Sequence, residues 1–127
     1  MGRAVGLGGA FLRTSNPKEL YSWYETHLKL ECKQGCFIFP DAKQGSGYTV
    51  VAFFARDTKY FDRAGAGSST QPVMLNFRVE GLDELLDELS RSGVEVDPKR
   101  ETYEYGKFGW ITDPEGNKVE LWEPPAS

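Results

Sequence analysis

Apolar and polar positions alternate along this chain with two different periods. In "SNPKELYSWYETHLKL", residues 15–30, Leu20, Trp23, Tyr24, His27 and Leu28 fall at i, i+3, i+4, i+7 and i+8. That spacing marks one buried stripe of an α-helix. Asn16 is a good N-cap, Pro17 suits the first helical position, and Glu19 completes a capping box, so the helix is expected to begin here. "GLDELLDELSRSG", residues 81–93, repeats the pattern with Leu82, Leu85, Leu86 and Leu89, and Gly93 is placed to end it.

Elsewhere the period is two. Strand-like runs precede each helix, "VGLGGAFLRT" and "PVMLNFRVE", and others follow: "CFIFP" and "YTVVAFFA" in the first half, "VEVD", "GWIT" and "KVELWE" in the second. The order predicts β-α-β-β-β, twice. Residues 62–72, "DRAGAGSSTQP", have the Gly, Ala and Ser content of a flexible connection. The expected organisation is one α+β domain, residues 1–127, built from a first module 1–61, the linker 62–72 and a second module 73–127. Laying Arg13 on Arg78 brings Glu19 onto Glu84 and Leu20 onto Leu85, as an internal repeat would.

Alternation also sorts strand residues by face. Ala10 and Leu12 are expected beneath the first helix, leaving Gly9, Phe11 and Arg13 on the opposite face. Leu75, Phe77 and Val79 should face the second helix while Met74, Asn76 and Arg78 point away. In the last strand Val119 and Leu121 take the core side, and Glu120 and Trp122 the other. A sheet curled so that this second face becomes a trough would hold a cavity with aromatic walls and a few convergent polar groups, the usual composition of a small-molecule site.

Composition narrows the partners. The 127 residues carry 39% hydrophobic and 13% aromatic residues, enough for the core of one domain. No window approaches the ~18 consecutive apolar residues of a membrane helix. The formal charge of −4, from 19 acidic and 15 basic residues with no basic run, offers nothing to nucleic acid or anionic lipid. Neither a secretory signal nor the Ser/Thr of a myristoylation motif is evident at the start, so the cytoplasm is the expected location. Cys32 and Cys36 with a single histidine cannot complete a zinc site, and reduced thiols are expected.

At larger scale, "GLGGAFLRTSNPKELYSWYETHLKL", "VEGLDELLDEL" and above all "YGKFGWITDPEGNKVELWEPP" resemble the vicinal oxygen chelate superfamily, which holds glyoxalase I, the bleomycin and fosfomycin resistance proteins and extradiol dioxygenases. The likeness runs over about residues 6–124. It implies two βαβββ modules forming a cupped, mostly antiparallel sheet, commonly in a homodimer. In metal-dependent members, His, Glu or Gln side chains from the first and last strands of the modules hold the ion. By similarity, Glu120 falls on the closing ligand position, while Gly9 and Met74 fall on the first-strand positions and "YTVVAFFA" offers no donor. About three protein donors are needed to hold a divalent ion and leave room for substrate. The resemblance therefore implies a small-molecule-binding protein without a metal cofactor; a divalent metal is the alternative, with lyase, isomerase or dioxygenase activity.

Two readings of Glu120 remain open at this point. It could pair with Arg78 or Arg13 as a polar cluster that orients a ligand, or its pKa could be raised by aromatic surroundings so that it acts as general base. The first is preferred, because a nearby arginine would keep it ionised. Arg13 and Arg78 themselves could grip an anionic ligand. Phe11, Asn76, Tyr105, Trp110 and Trp122 complete the expected ligand-binding set, with aromatic walls suited to flat or cationic molecules. Gly106 and Gly109 are expected to mark a bulge or a close backbone approach. "DPEGN" reads as a turn in which Asp113 has no further role. His27, on a helix, is expected to be structural.

Overall fold

A computed structural model describes residues 2–28, 30–40 and 48–126. Ten elements follow in order: β1 (Arg3–Thr14), α1 (Pro17–Leu28), β2 (Phe37–Pro40), β3 (Tyr48–Ala55), β4 (Val73–Glu80), α2 (Leu82–Arg91), β5 (Glu95–Val96), β6 (Glu101–Tyr103), β7 (Gly106–Thr112) and β8 (Lys118–Glu123). They form one eight-stranded sheet in the order β2-β3-β1-β4-β8-β7-β5, with β6 also paired to β7. The two halves join where β1 runs antiparallel to β4, and within each half the last strand lies parallel to the first, β3 beside β1 and β8 beside β4. The remaining pairs are antiparallel. This is the mostly antiparallel, two-helix architecture expected. The halves differ in detail: after α1 the described residues give β2 and β3 plus a lone bridge between Lys33 and Cys36, whereas β6 adds a fourth strand after α2.

Local sequence explains the elements. The Glu19 amide donates to Asn16 Oδ1 at 3.1 Å and Asn16 Nδ2 to Glu19 Oε2 at 3.0 Å, a closed version of the expected cap. The stripe of α1 is turned from the expected one. Tyr21 and Tyr24 face the sheet, where they pack on Phe37 and Phe53 and the Tyr21 hydroxyl accepts the Phe53 amide. Trp23 is 52% exposed and pairs with exposed His27 one turn on; Leu28's side chain lies outside the described residues. A tyrosine that can satisfy its own hydroxyl tolerates the sheet face, and spacing alone does not reveal it.

Helix α2 follows its pattern. Leu82 and Leu86 are fully buried against Val79 and Leu121, with Leu85 and Leu89 packed around them. Its first amide, that of Leu82, donates to the Glu123 carboxylate of β8 at 2.9 Å, a cap supplied from 41 residues away. Gly93, at φ 89°, closes the helix as expected. Gly109 has a Leu86 methyl 2.6 Å from where a Cβ would stand, so its side-chain-free surface is what lets α2 settle on β7.

The strand faces fall as alternation predicts along β4 and β8, with one difference in coverage. Leu75 lies on the outer face but is 42% exposed, because α1 packs toward β3 and α2 toward β5, β7 and β8, leaving the middle of the sheet uncovered. On the inner face, Phe11, Phe61, Met74 and Trp110 form a second core. Residues 62–72, expected to be flexible, are pinned: Arg13 donates to the carbonyls of Ser69 and Gln71, and the Gln71 side chain binds both the amide and the carbonyl of Lys118. None of the described helices is long and apolar enough to cross a membrane.

Candidate functional site

Flat strands sit ~4.8 Å apart, so β3 and β8, separated by β1 and β4, would stand far from each other in a planar sheet. Yet the rings of Tyr48 on β3 and Trp122 on β8 meet with centroids 5.2 Å apart. The sheet is curled, and both halves of one chain close around a cavity of about 590 Å³. Phe11, Val50 and Phe54 line one wall; Tyr103, Tyr105, Phe108 and Trp122 line the other. The second wall is a ladder of rings, with Phe108 stacked on Trp122 at 6.2 Å and Tyr103 stacked on Tyr105 at 5.2 Å. Gly106, at φ 131°, permits the bend behind it, since a Cβ there would lie 2.5 Å from the Trp122 indole nitrogen.

Glu120 forms the floor and is only 1% exposed. Register puts it directly beside Asn76 on β4 and Trp110 on β7. Asn76 Nδ2 donates to Oε1 at 2.5 Å, Trp110 Nε1 donates to Oε2 at 2.9 Å, and the Tyr60 hydroxyl donates to the same Oε2. Burial pushes the Glu120 carboxyl above the usual carboxylate range, against the opposing pull of the Tyr60, Asn76 and Trp110 donors and of the Lys118 charge. Burial, and then the neighbouring Glu120, drive the Tyr60 hydroxyl far upward, so it stays a donor. Lys118 is itself lowered by burial; its ammonium donates to the Tyr60 carbonyl at 2.8 Å and lies 5.3 Å from the Tyr60 and Trp110 ring centres.

Several expected residues are elsewhere. Arg13 does not reach the cavity: its guanidinium donates to the carbonyls of Arg56, Thr58, Ser69 and Gln71 and stacks on Phe61, fixing the chain crossing between the halves. Arg78 is buried with Nε donating to the Leu7 carbonyl at 3.2 Å and does not line the cavity either. Neither arginine therefore supplies the ion pair expected for Glu120. Trp110 lies beneath the floor rather than in the wall, reaching the site only through its N–H. Phe11, Asn76, Tyr105, Trp122 and Glu120 do line the cavity together.

The first-strand positions also shift. β1 carries irregularities between Ala4 and Gly6 and between Leu7 and Gly9. Gly8 is the extra residue inside the second one and lines the cavity, while Gly9 backs onto the Val50 carbonyl and Phe11 keeps the expected face. A Cβ on Gly8 would stand 1.7 Å from Asn76 Oδ1. On β4 it is Asn76, two residues past Met74, that meets Glu120; Met74 is core. Sequence reasoning missed Tyr60 and Glu101, both of which line the cavity; Tyr60 matters most to the floor. It belongs to no strand, but "KYFD" places two large aromatics in an otherwise polar stretch. Phe61 plugs the inner core and Tyr60 the floor.

A family model described as Glyoxalase/Bleomycin resistance protein/Dioxygenase superfamily matches residues 6–121. The chain belongs to this superfamily. Among curated proteins no significant match is found. Solved structures of similar fold include methylmalonyl-CoA epimerase from Mycobacterium tuberculosis, at 21% identity and TM-score 0.62 over 96% of this chain and 89% of that one. A methylmalonyl-CoA epimerase in complex with methylmalonyl-CoA and NH4+ reaches TM-score 0.70 at 14% identity, covering 98% and 97%. A hypothetical protein from Bacillus halodurans aligns at TM-score 0.63 and 12% identity over 99% and 96%. At such identities the likeness establishes the shared superfamily fold.

Proposed function

We propose that this member of the superfamily binds a small organic molecule in its aromatic cup without a metal. The observation that carries the reading is the state of Glu120, whose two oxygens are already engaged by three donors of the chain itself. A metal ligand needs free lone pairs pointing to a shared centre, with about two further donors converging on it. Here the neighbouring strand positions are Gly8, which has no donor, and Asn76, which gives its amide nitrogen to the carboxylate and could offer an ion only its one oxygen, leaving the set short of three donors. Val50 and Phe54 on β3 are apolar, and among the described residues no group of three His, Cys, Asp or Glu side chains converges. The donor set does not fit a divalent ion.

What the cup does fit is a flat molecule. Its volume lies within the ~300–1,000 Å³ common for small-ligand sites, and aromatic rings dominate its walls. Ligand bound only to the folded state raises stability by about 2.7 kcal/mol at a hundredfold excess over Kd. A thermal-shift screen of aromatic compounds on protein stripped of metal by chelation tests the proposal. Compounds should raise the melting temperature by several degrees and quench Trp122 fluorescence, with no effect of added chelator. Binding that appears only after a divalent ion is supplied would contradict it.

A second reading, acid/base catalysis by Glu120, is favoured by one observation: the carboxyl lines the cavity and its pKa is raised by burial. Turnover of any screened compound that vanishes in Glu120→Gln while binding persists would favour this reading. Turnover untouched by that change would remove Glu120 from the chemistry.

A further inference from the structure

The described lining of the cavity lacks the two arginines that the sequence reading placed there. Arg13 is committed to four main-chain carbonyls and Arg78 binds the Leu7 carbonyl through Nε, and the described lining contains no Lys, Arg or His. It contains two carboxyl groups, Glu120 at the floor and Glu101 on β6. Lys99 pairs with Glu101 at 2.9 Å and holds its carboxyl below the usual range, so that group keeps its charge. Lys118 approaches from behind the floor, its ammonium committed to the Tyr60 carbonyl.

A second, independent feature is the Asn76 carbonyl oxygen. Asn76 is 2% exposed and lines the cavity, its Nδ2 is given to Glu120, and Oδ1 has no hydrogen-bond partner. A buried acceptor left without a donor costs about 1–3 kcal/mol. The missing side chain of Gly8 leaves Oδ1 the space it occupies at the floor. What this acceptor lacks is an N–H or O–H from a bound molecule. Around it stand faces of Tyr, Phe and Trp rings, whose negative quadrupoles attract cations.

We propose that the cup selects a planar aromatic molecule bearing a cationic N–H donor group, such as an amidinium or a protonated amine, whose N–H meets the Asn76 carbonyl oxygen on the cavity side of the Asn76–Glu120 bond. This rests on the small-molecule reading above and specifies the ligand's charge. The ring lies along the Phe108–Trp122 ladder, and the N–H group points to the floor. Anionic ligands, acyl-CoA thioesters included, find no described Lys, Arg or His in the lining and bring no donor to the Asn76 carbonyl, so they are disfavoured.

Three molecules of one shape separate the possibilities: naphthalene-2-carboxamidine, naphthalene-2-carboxamide and naphthalene-2-carboxylate. Titrated calorimetrically into the full chain at pH 7.5, the amidinium should bind at least ten times more tightly than the carboxamide, and the carboxylate should give no measurable heat. Glu120→Gln should narrow the gap between amidinium and carboxamide. Asn76 can turn its amide to face the new Gln, so this variant is expected to fold. Should it fail to fold, Glu101→Gln, at the partly exposed strand β6, reads the same gap. Preference for the carboxylate, equal affinity for all three, or micromolar binding of methylmalonyl-CoA would overturn the charge assignment and leave the cup a small-molecule site. Absence of binding by all three compounds would overturn it too, and the thermal-shift screen then decides separately whether the cup binds anything.

Discussion

Among the described residues no cationic side chain bonds to the buried acid Glu120, and its behaviour follows from that environment. Its folded-state pKa is raised, so between the ordinary carboxylate value and the raised one the native state holds a proton that the unfolded chain has lost. Stability from this group is therefore present at acid pH and declines as pH rises through that window. Glu120→Gln removes the decline. In urea unfolding from pH 4 to pH 8, the variant should match the parent at the acid end and exceed it increasingly toward the alkaline end. Tyr60→Phe acts in the opposite sense: the hydroxyl lowers the Glu120 pKa, and removing it should cost about 1–2 kcal/mol, more at pH 8 than at pH 4.5. An equal loss at both pH values would show that Tyr60 contributes packing alone. Glu120 and Asn76 could be placed on the inner face from alternation. The absence of a partner arginine could not, since a strand pattern gives a side chain's face and not the reach of its neighbours.

Elements were largely legible where a period was clean. Helix α2 and strands β4 and β8 keep the expected faces, because α2 packs one stripe and the two strands put one alternating set toward the helix side and the other toward the cup, with Leu75 left largely uncovered. Helix α1 is less so, since its polar-edged aromatics, Tyr21 and Trp23, can each serve inside or outside, and the hydroxyl contact to Phe53 decides between them. In β1, two irregularities broke the alternation and moved the cup position from Gly9 to Gly8. Gly8→Ala should destabilise by about 1–3 kcal/mol, as overpacking does, because its methyl would displace Asn76 Oδ1; near-neutral stability in chemical denaturation would show the floor can yield. The crossing 62–72 looked flexible by composition, yet Arg13 satisfies four carbonyls around it. Arg13→Ala should lower stability by roughly 2 kcal/mol and speed proteolytic cleavage of this segment. Unchanged cleavage would mean the clasp is incidental.

Across the whole molecule, the curl of the sheet turns two modest half-sites into one cavity. Each half supplies a wall, and the stretch after β3 adds Tyr60 to the floor and Phe61 to the core behind it. Family membership could be read from "DPEGNKVELWEPP" and its companions because those residues build the turn and the last strand: Asp113 accepts from the amides of Glu115 and Asn117, and Val119, Leu121 and Trp122 pack both faces. Which polar side chains line the cavity was not legible in full, because alternation does not show that Arg13 is committed to main-chain carbonyls and that Arg78 binds one. That same consumption of polar groups underlies the central claim, that the floor carboxyl is used by its own protein and not by an ion. Calorimetric titration of chelator-treated protein with Zn²⁺, Ni²⁺, Mn²⁺ and Fe²⁺ tests it most directly. The account predicts no stoichiometric site of micromolar affinity for any of the four. One ion bound per chain at that affinity, and lost in Glu120→Ala, would contradict it.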